Sequence, residues 1–267
     1  MVGTFAILNL TRDSFSDGGR YLLPEPALAH AERLLAAGAN VLDVGAESTH
    51  PDAEDVPVDE ELRRLVPVVQ ALLARGAEVS VDTRKPEVMT AMGALGVHWW
   101  NDVDGFRSPA AMAAVAAAPP HVRFVVMFHR NQASRADRRE LGVDGLLTDL
   151  EAFVEERRSA FAAAGVLPQR LVFDPGMGFF LGREAAPSLH VLHHLKHLVR
   201  TAGTLLVSVS RKSFVGEVTG LPVGERGPGS LAAELWAARA GASWIRTHDP
   251  AAFRSAWAVE TAIARAL

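Results

Sequence analysis

Short apolar runs alternate along this chain with longer amphipathic stretches. The runs occupy residues 5–8, 41–44, 78–81, 98–100, 123–127, 171–173, 205–209 and 244–245. Each is too short for a helix and carries few polar positions, the pattern of a strand buried on both faces. Stretches with helical spacing follow them at 26–37, 59–74, 86–95, 109–117, 146–164, 185–200, 230–240 and 251–264. Pro86 and Pro109 open two of these, where a missing N–H breaks no helical hydrogen bond. Eight strand–helix units in succession predict an α/β fold, a TIM (β/α)8 barrel in a single domain over residues 1–267, rather than an open sheet.

Polar residues punctuate the predicted strand ends. Asn9, Asp43, Asp82, Asn101 with Asp102, Met127 with nearby His129, Asp174, Arg211 with Lys212, and Arg246 with His248 stand there in turn. A closed barrel gathers those ends on one face, the usual place of its active site. Singly, each is equally a loop residue, a helix cap or an ion-pair partner. Together, Asp82, Asn101 and Asp174 suit a flat heterocycle bearing amino and ring N–H groups, which carboxylates accept in pairs. Lys212 and Arg211 add positive charge. Arg246, His248 and Thr49 suit an anion such as phosphate. The carbonyl oxygen of Asn9 suits a hard cation that keeps waters and phosphate ligands, as Mg2+ does. After the first strand comes a loop with hydroxyls, two carboxylates, an aromatic and the pair Gly18-Gly19. That loop reads either as a ligand contact or as an ordinary turn with capping residues.

Composition narrows the function. Hydrophobic residues make up 49% of 267, enough for a large core, and a net charge of −4 argues against a general nucleic-acid binder. There is no cysteine, which excludes disulfides and thiolate metal sites. Residues 1–10 lack the basic start and cleavage site of a signal peptide, and no apolar run is long enough to cross a bilayer, so a cytoplasmic location is expected. His190, His193, His194 and His197 have a spacing that can bind Zn2+, but their helix lies on the outer ring and reads as a solvated or subunit-contact face. Trp99 and Trp100 read as core, and residues 135–140 as a solvated charged loop. The glycines between 216 and 229 lack the Gly-Lys-Ser/Thr ending of a phosphate loop.

The segments around these residues resemble those of the dihydropteroate synthase family. They are Asn9-Leu10-Thr11-Arg12-Asp13-Ser14-Phe15-Ser16-Asp17-Gly18-Gly19, Asp43-Val44-Gly45-Ala46-Glu47-Ser48-Thr49, Ser80-Val81-Asp82-Thr83, Asn101-Asp102-Val103 and Asp174-Pro175-Gly176-Met177-Gly178-Phe179. Ser210-Arg211-Lys212-Ser213, Gly224-Glu225-Arg226 with Gly229-Ser230-Leu231-Ala232-Ala233, and Arg246-Thr247-His248-Asp249 follow in family order. The resemblance implies a transferase that joins 6-hydroxymethyl-7,8-dihydropterin diphosphate to 4-aminobenzoate, giving 7,8-dihydropteroate and diphosphate. It implies that Asp82, Asn101, Asp174 and Lys212 hold the pterin with Met127 packed nearby. Thr49, Arg246 and His248 would hold the diphosphate, Asn9 its Mg2+, and Phe179, Lys212 and Ser213 would border the aminobenzoate. Catalysis would fall to Lys212, Asp17 and Arg246, with loops near 13–19 and 48–55 closing over the reacting carbon. It further implies a homodimer through outer helices and a target for sulfonamides, with no nucleic-acid or membrane partner.

Several positions depart from the family pattern. Arg12 stands for a usual proline, which adds charge beside the expected aminobenzoate site and is expected to alter sulfonamide inhibition. His50 stands for a usual arginine, losing the planar fork that matches phosphate oxygens. Ala46 replaces a glycine and Met177 an aromatic, and Phe128-His129-Arg130-Asn131 sits one residue off the usual Met-His pattern. The chain enters its first strand almost directly, without the family's N-terminal β-hairpin. Arg12 and His50 also motivate a second reading, a pterin-binding paralogue with a regulatory or interaction role. A third is a pterin-dependent methyl-transfer domain, against which the complete first loop counts.

Overall fold

The computed structural model describes residues 2–10, 24–48, 53, 55–130 and 140–266. The strands are β1 (Gly3–Asn9), β2 (Val41–Gly45), β3 (Val79–Asp82), β4 (Trp99–Asp102), β5 (Arg123–Met127), β6 (Leu171–Asp174), β7 (Leu206–Val207) and β8 (Trp244–Thr247). The helices are α1 (Pro24–Ala36), α2 (Val58–Ala74), α3 (Pro86–Leu95), α4 (Pro109–Ala116), α5 (Leu146–Ala163), α6 (Ala185–His193), α7 (Leu195–Ala202), α8 (Ser213–Thr219), α9 (Gly227–Arg239) and α10 (Pro250–Arg265). Neighbouring strands pair in parallel in the order β6-β5-β4-β3-β2-β1-β8-β7. A bridge between Phe173 and Leu205 joins β6 to β7 and completes the ring. This is the TIM barrel expected from the alternating pattern. Among the described residues, no helix is long and apolar enough to cross a membrane.

The elements differ from expectation in three places. The helix expected over 185–200 is two, α6 and α7, because the chain turns at His194. There the His194 backbone N–H and its ring Nδ1 both meet the His190 carbonyl, at 3.1 and 2.9 Å. Helix α8 is an unanticipated extra turn, seated by its buried Phe214 and Val215. Strand β7 shrinks from 205–209 to two residues, and Ser208 to Lys212 leave the ladder toward the barrel mouth.

The strand pleat divides the interior, because successive side chains point to opposite faces. Outward residues such as Ala6, Leu8, Leu42, Val81, Trp100 and Phe124 pack beneath the helices in the main core. Inward residues Phe5, Val41, Trp99, Val125, Val172 and Leu206, with Trp244, form a separate cluster inside the barrel. Trp99 and Trp100 are both core, as expected, but on opposite sides of the sheet. Phe5, Trp99 and Trp244 meet edge to face in all three pairings, with centroids 5.1–5.5 Å apart. Gly3 sits against this floor, where a Cβ would fall 2.2 Å from a Trp244 ring carbon. The barrel is therefore a filled core with one polar end.

Candidate active site

Two residues above the apolar ring, the same inward pleat positions turn polar. Asp43 follows Val41, Asn101 follows Trp99, Asp174 follows Val172 and Arg246 follows Trp244. Asp82 joins them from β3, register-paired with Asn101. Ring closure brings Arg246 against two carboxylates from distant parts of the chain. Its Nε donates to Asp43 Oδ2 at 2.5 Å and its Nη2 to Asp82 Oδ2 at 2.7 Å. Asn101 Nδ2 donates to the same Asp43 oxygen at 3.1 Å. The other Asp43 oxygen is buried with no hydrogen-bond partner among the described residues. The guanidinium has five N–H groups, so three remain for a ligand.

Burial sets the acidity of this mouth. It pushes Asp82 up to about 7, with the Arg246 charge opposing and the Asp43 charge reinforcing. It pushes Asp174 up to about 6, although Asp174 Oδ1 accepts the Gly176 N–H at 2.8 Å and the Lys212 and Arg246 charges favour ionisation. It lowers Lys212 to about 8, helped by Arg246 and opposed by Asp174 and Asp82. Arg246 itself is held firmly charged by the Asp43 and Asp82 carboxylates against the cost of burial. Carboxylates pushed up and a lysine pushed down toward neutrality, gathered at one end of a barrel, are the setting of a functional centre.

The remaining expected residues fall into two neighbouring groups. Met127 packs with Val103 and Phe180, and Phe179 lies against that cluster. Lys212 Nζ stands 5.1 Å from the Phe180 ring centroid. Gly178, at φ 65°, lets its loop pass Ser213 so closely that a Cβ would lie 2.9 Å from Ser213 Oγ. Phe179, Lys212 and Ser213 thus border one corner. His248 lies at the end of β8, with its backbone N–H 3.2 Å and its Nδ1 3.0 Å from Ser210 Oγ. Burial, then the charges of Arg211, Arg246, Lys212 and His30, lower His248 to about 3, so its ring is neutral. Asn9 is exposed at the end of β1, beside Gly45 of β2. Thr49 and Asp17 lie outside the described residues, as do Arg12, His50, the first loop beyond Leu10 and residues 135–139 of the charged loop.

Other side chains resolve as structural. Asp102, beside Asn101, points away from the mouth and accepts the Asp104 and Phe106 N–H groups at 2.8 and 2.7 Å. Ala46 and Met177, the two small departures from the family pattern, are buried in the main core. Lys85 bridges Glu47 and Glu61, while Arg84 binds Glu47 at 3.1 Å and Asp55 at 2.7 Å. These ties hold both ends of the segment that contains Thr49. Of the four histidines spread over α6 and α7, His197 places Nε2 2.6 Å from Glu151, and no cluster of three or more metal-ligating side chains occurs among the described residues.

Three buried acids, Asp43, Glu61 and Glu234, were given no role by the sequence. Asp43 stood among the strand-end residues but had no role there; a carboxylate inside an apolar strand was its signal. Glu234 gave none, because glutamate is ordinary on a helix. It is 2% exposed on α9, its Oε1 is buried with no hydrogen-bond partner among the described residues, and burial pushes its carboxyl up to about 7.

With this geometry in view, similarity to known proteins is specific. Residues 5–248 match the family described as "Pterin binding enzyme". A dihydropteroate synthase type-2 from Escherichia coli is 45% identical over 260 residues, covering 97% of this chain and 95% of that protein. The structure of Xanthomonas albilineans dihydropteroate synthase with 4-aminobenzoic acid superposes with a TM-score of 0.88 at 41% identity, covering 98% of this chain and 93% of that one. A Yersinia pestis dihydropteroate synthase in complex with a sulfonamide drug gives 0.90 at 37% identity, covering 99% and 94%.

Proposed function

The chain belongs to the pterin-binding enzyme family, and from that premise we propose how its barrel mouth works as a dihydropteroate synthase. The reaction condenses 6-hydroxymethyl-7,8-dihydropterin diphosphate with 4-aminobenzoate to 7,8-dihydropteroate and diphosphate, a transferase step of folate biosynthesis. The observation that carries the assignment is the convergence of Asp82, Asn101, Asp174, Lys212 and Arg246 in one buried mouth, in a chain 45% identical to a dihydropteroate synthase along 97% of its length.

Asp174 and Asp82 accept the amino and ring N–H groups of the pterin, Asn101 meets its edge and Met127 packs on its face. Lys212 donates to the ring from the opposite side. The free N–H groups of Arg246, the His248 ring and Thr49 clamp the diphosphate. When the bond between the pterin methylene carbon and the diphosphate oxygen breaks, its electron pair leaves with the diphosphate. The clamp stabilises that developing charge. The amine of 4-aminobenzoate, bordered by Phe179, Lys212 and Ser213, attacks the pterin-stabilised cation and then loses a proton. Asp17, outside the described residues, is assigned to catalysis by the family likeness alone. The aminobenzoate corner is also the site a sulfonamide occupies.

Asn9 suits Mg2+: a single exposed neutral oxygen fits a cation whose other ligands are diphosphate oxygens and waters. Bound there, Mg2+ would neutralise charge on the leaving group. A second copy of the chain covers the apolar face of α6, α8 and α9. That face holds a groove of about 480 Å3 and exposes Leu189, Val218 and Trp236 by 44%, 61% and 53%. The homodimer works in the cytoplasm; Trp236→Glu should turn it into a monomer in sedimentation runs.

The purified protein with pterin diphosphate, 4-aminobenzoate and Mg2+ should form dihydropteroate, and Asn9→Ala should raise the Mg2+ needed for half-maximal rate. Product no greater than that of an Asp174→Ala control would overturn the assignment. Normal turnover would equally remove the reading of the chain as a non-catalytic pterin-binding paralogue.

A further inference from the structure

Asp43 lies beneath the mouth rather than in it. Its side chain is wholly buried, so neither oxygen can reach a ligand. Oδ2 accepts Arg246 Nε at 2.5 Å and Asn101 Nδ2 at 3.1 Å, while Oδ1 has no hydrogen-bond partner among the described residues. A buried carboxylate with one oxygen unpaired lowers stability. What the other oxygen holds is therefore the reason to look for a role. We propose that Asp43 is a positioning residue for pterin binding: it fixes which end of the Asn101 amide faces the ligand. This rests on the reading of Asn101 as a pterin contact.

An asparagine amide has two ends of opposite character, a carbonyl oxygen and an NH2 group. With Nδ2 donating to Asp43, the carbonyl Oδ1 takes the other branch and offers an acceptor to an N–H at the pterin edge. A flipped amide would set Oδ1 against a carboxylate oxygen. Two acceptors would then face each other in a low-dielectric interior, which excludes the flip. Asp43 is itself held in place by Arg246, whose Nη2 is anchored in turn on Asp82 at 2.7 Å. The donor to Asp43 on one side thus steadies the acceptor for Asn101 on the other.

Loss of Asp43 would cost more than one hydrogen bond. Asp82 is register-paired with Asn101 on the neighbouring strand. An amide released from Asp43 can turn its NH2 toward that carboxylate, which is the nearest acceptor left to it along the inward face. Asp82 would then spend a lone pair on Asn101 instead of on the pterin, and Asn101 would no longer present its oxygen in a fixed direction. The ligand would have to order the amide as it binds.

The probe is 6-hydroxymethylpterin, titrated calorimetrically into the folded protein; it carries no diphosphate, so loss of the Asp43 charge does not act through an anion. Asp43→Ala and Asn101→Ala should each weaken it about tenfold. The double variant should bind no more weakly than Asn101→Ala, because Asp43 acts through that amide. If Asp43→Ala does not fold, Asp43→Asn carries the same cycle. It keeps the shape but can meet the amide with either a donor or an acceptor, and should lose affinity severalfold. A merely structural Asp43 would lower the melting temperature and add its full loss to that of Asn101→Ala. Losses that add, or a pterin affinity unmoved by the Asp43 variants, overturn the proposal. Wild-type protein that binds no pterin overturns the proposed function and this inference with it, whereas wild-type binding with additive losses removes this inference alone.

Discussion

The floor and the mouth of the barrel are built from the same strands, two residues apart, and obey opposite rules. Val41, Trp99, Val172 and Trp244 close the floor, and Asp43, Asn101, Asp174 and Arg246 stand one pleat step above them. The floor is apolar, with aromatic rings meeting at interplanar angles of 75–87°, and contributes stability by burial and ring contact. The mouth buries carboxylates whose ionisation the fold disfavours, and Arg246 only partly offsets that cost. The difference teaches where the chain gains stability and where it gives some up to keep a ligand site charged.

The sharpest break of that comparison is Asp174→Asn. The amide oxygen can still accept the Gly176 N–H, but the site offers a pterin N–H a donor where it had an acceptor. We expect kcat/KM to fall about 10^3-fold, as when a buried polar site loses its match to a substrate hydrogen bond. Stability should move the other way. Folded Asp174 holds its proton more tightly than the unfolded chain, so raising pH from 3.8 to about 6 removes stability. The variant lacks that decline and should melt at or above the wild-type temperature near neutral pH. Activity and melting temperature falling together would mean that the mouth, like the floor, is structural.

Trp99→Ala makes the converse cut. It removes two edge-to-face contacts and the ring under the Arg123 guanidinium, 3.7 Å away. Unfolding in denaturant should show a loss of about 3–5 kcal/mol. Turnover per folded molecule should change little, even though Asn101 is two residues along the same strand. A large drop in turnover at full folding would join the two layers into one functional unit.

The same contrast explains what the sequence disclosed. Floor and outer strand faces are both apolar, so all eight strands read as hydrophobic runs, and the polar interruptions at their ends marked the mouth. The gathering of Asp82, Asn101, Asp174, Lys212, Arg246 and His248 at one end of the barrel was legible for that reason. The ion pair of Arg246 with Asp43 was not, because its partners are 203 residues apart and meet only when the ring closes. Glu234 was silent, since only tertiary packing tells a buried helical glutamate from a solvated one. The turn at His194 and the extra α8 depend on local hydrogen bonds and side-chain seating that hydrophobic periodicity does not encode.

The smallest expected effect discriminates best, because it reads the mouth's electrostatics without removing a contact. In the proposed binding mode Asp174 and Asp82 accept pterin N–H groups as carboxylates, so kcat/KM should rise with pH through about 6 and about 7. Lys212 must keep its proton to donate, so the rate should fall as pH passes about 8. Both limbs belong to a coupled set rather than to single residues, since Arg246, Asp43, Asp82, Asp174 and Lys212 feel one another's charge. The resulting bell, only severalfold high, should survive Trp99→Ala unshifted, because the floor carries no charge into the mouth. If Trp99→Ala shifts either limb, the apolar floor is also setting the dielectric in which the carboxylates ionise, and the separation of the two layers fails at its electrostatic root.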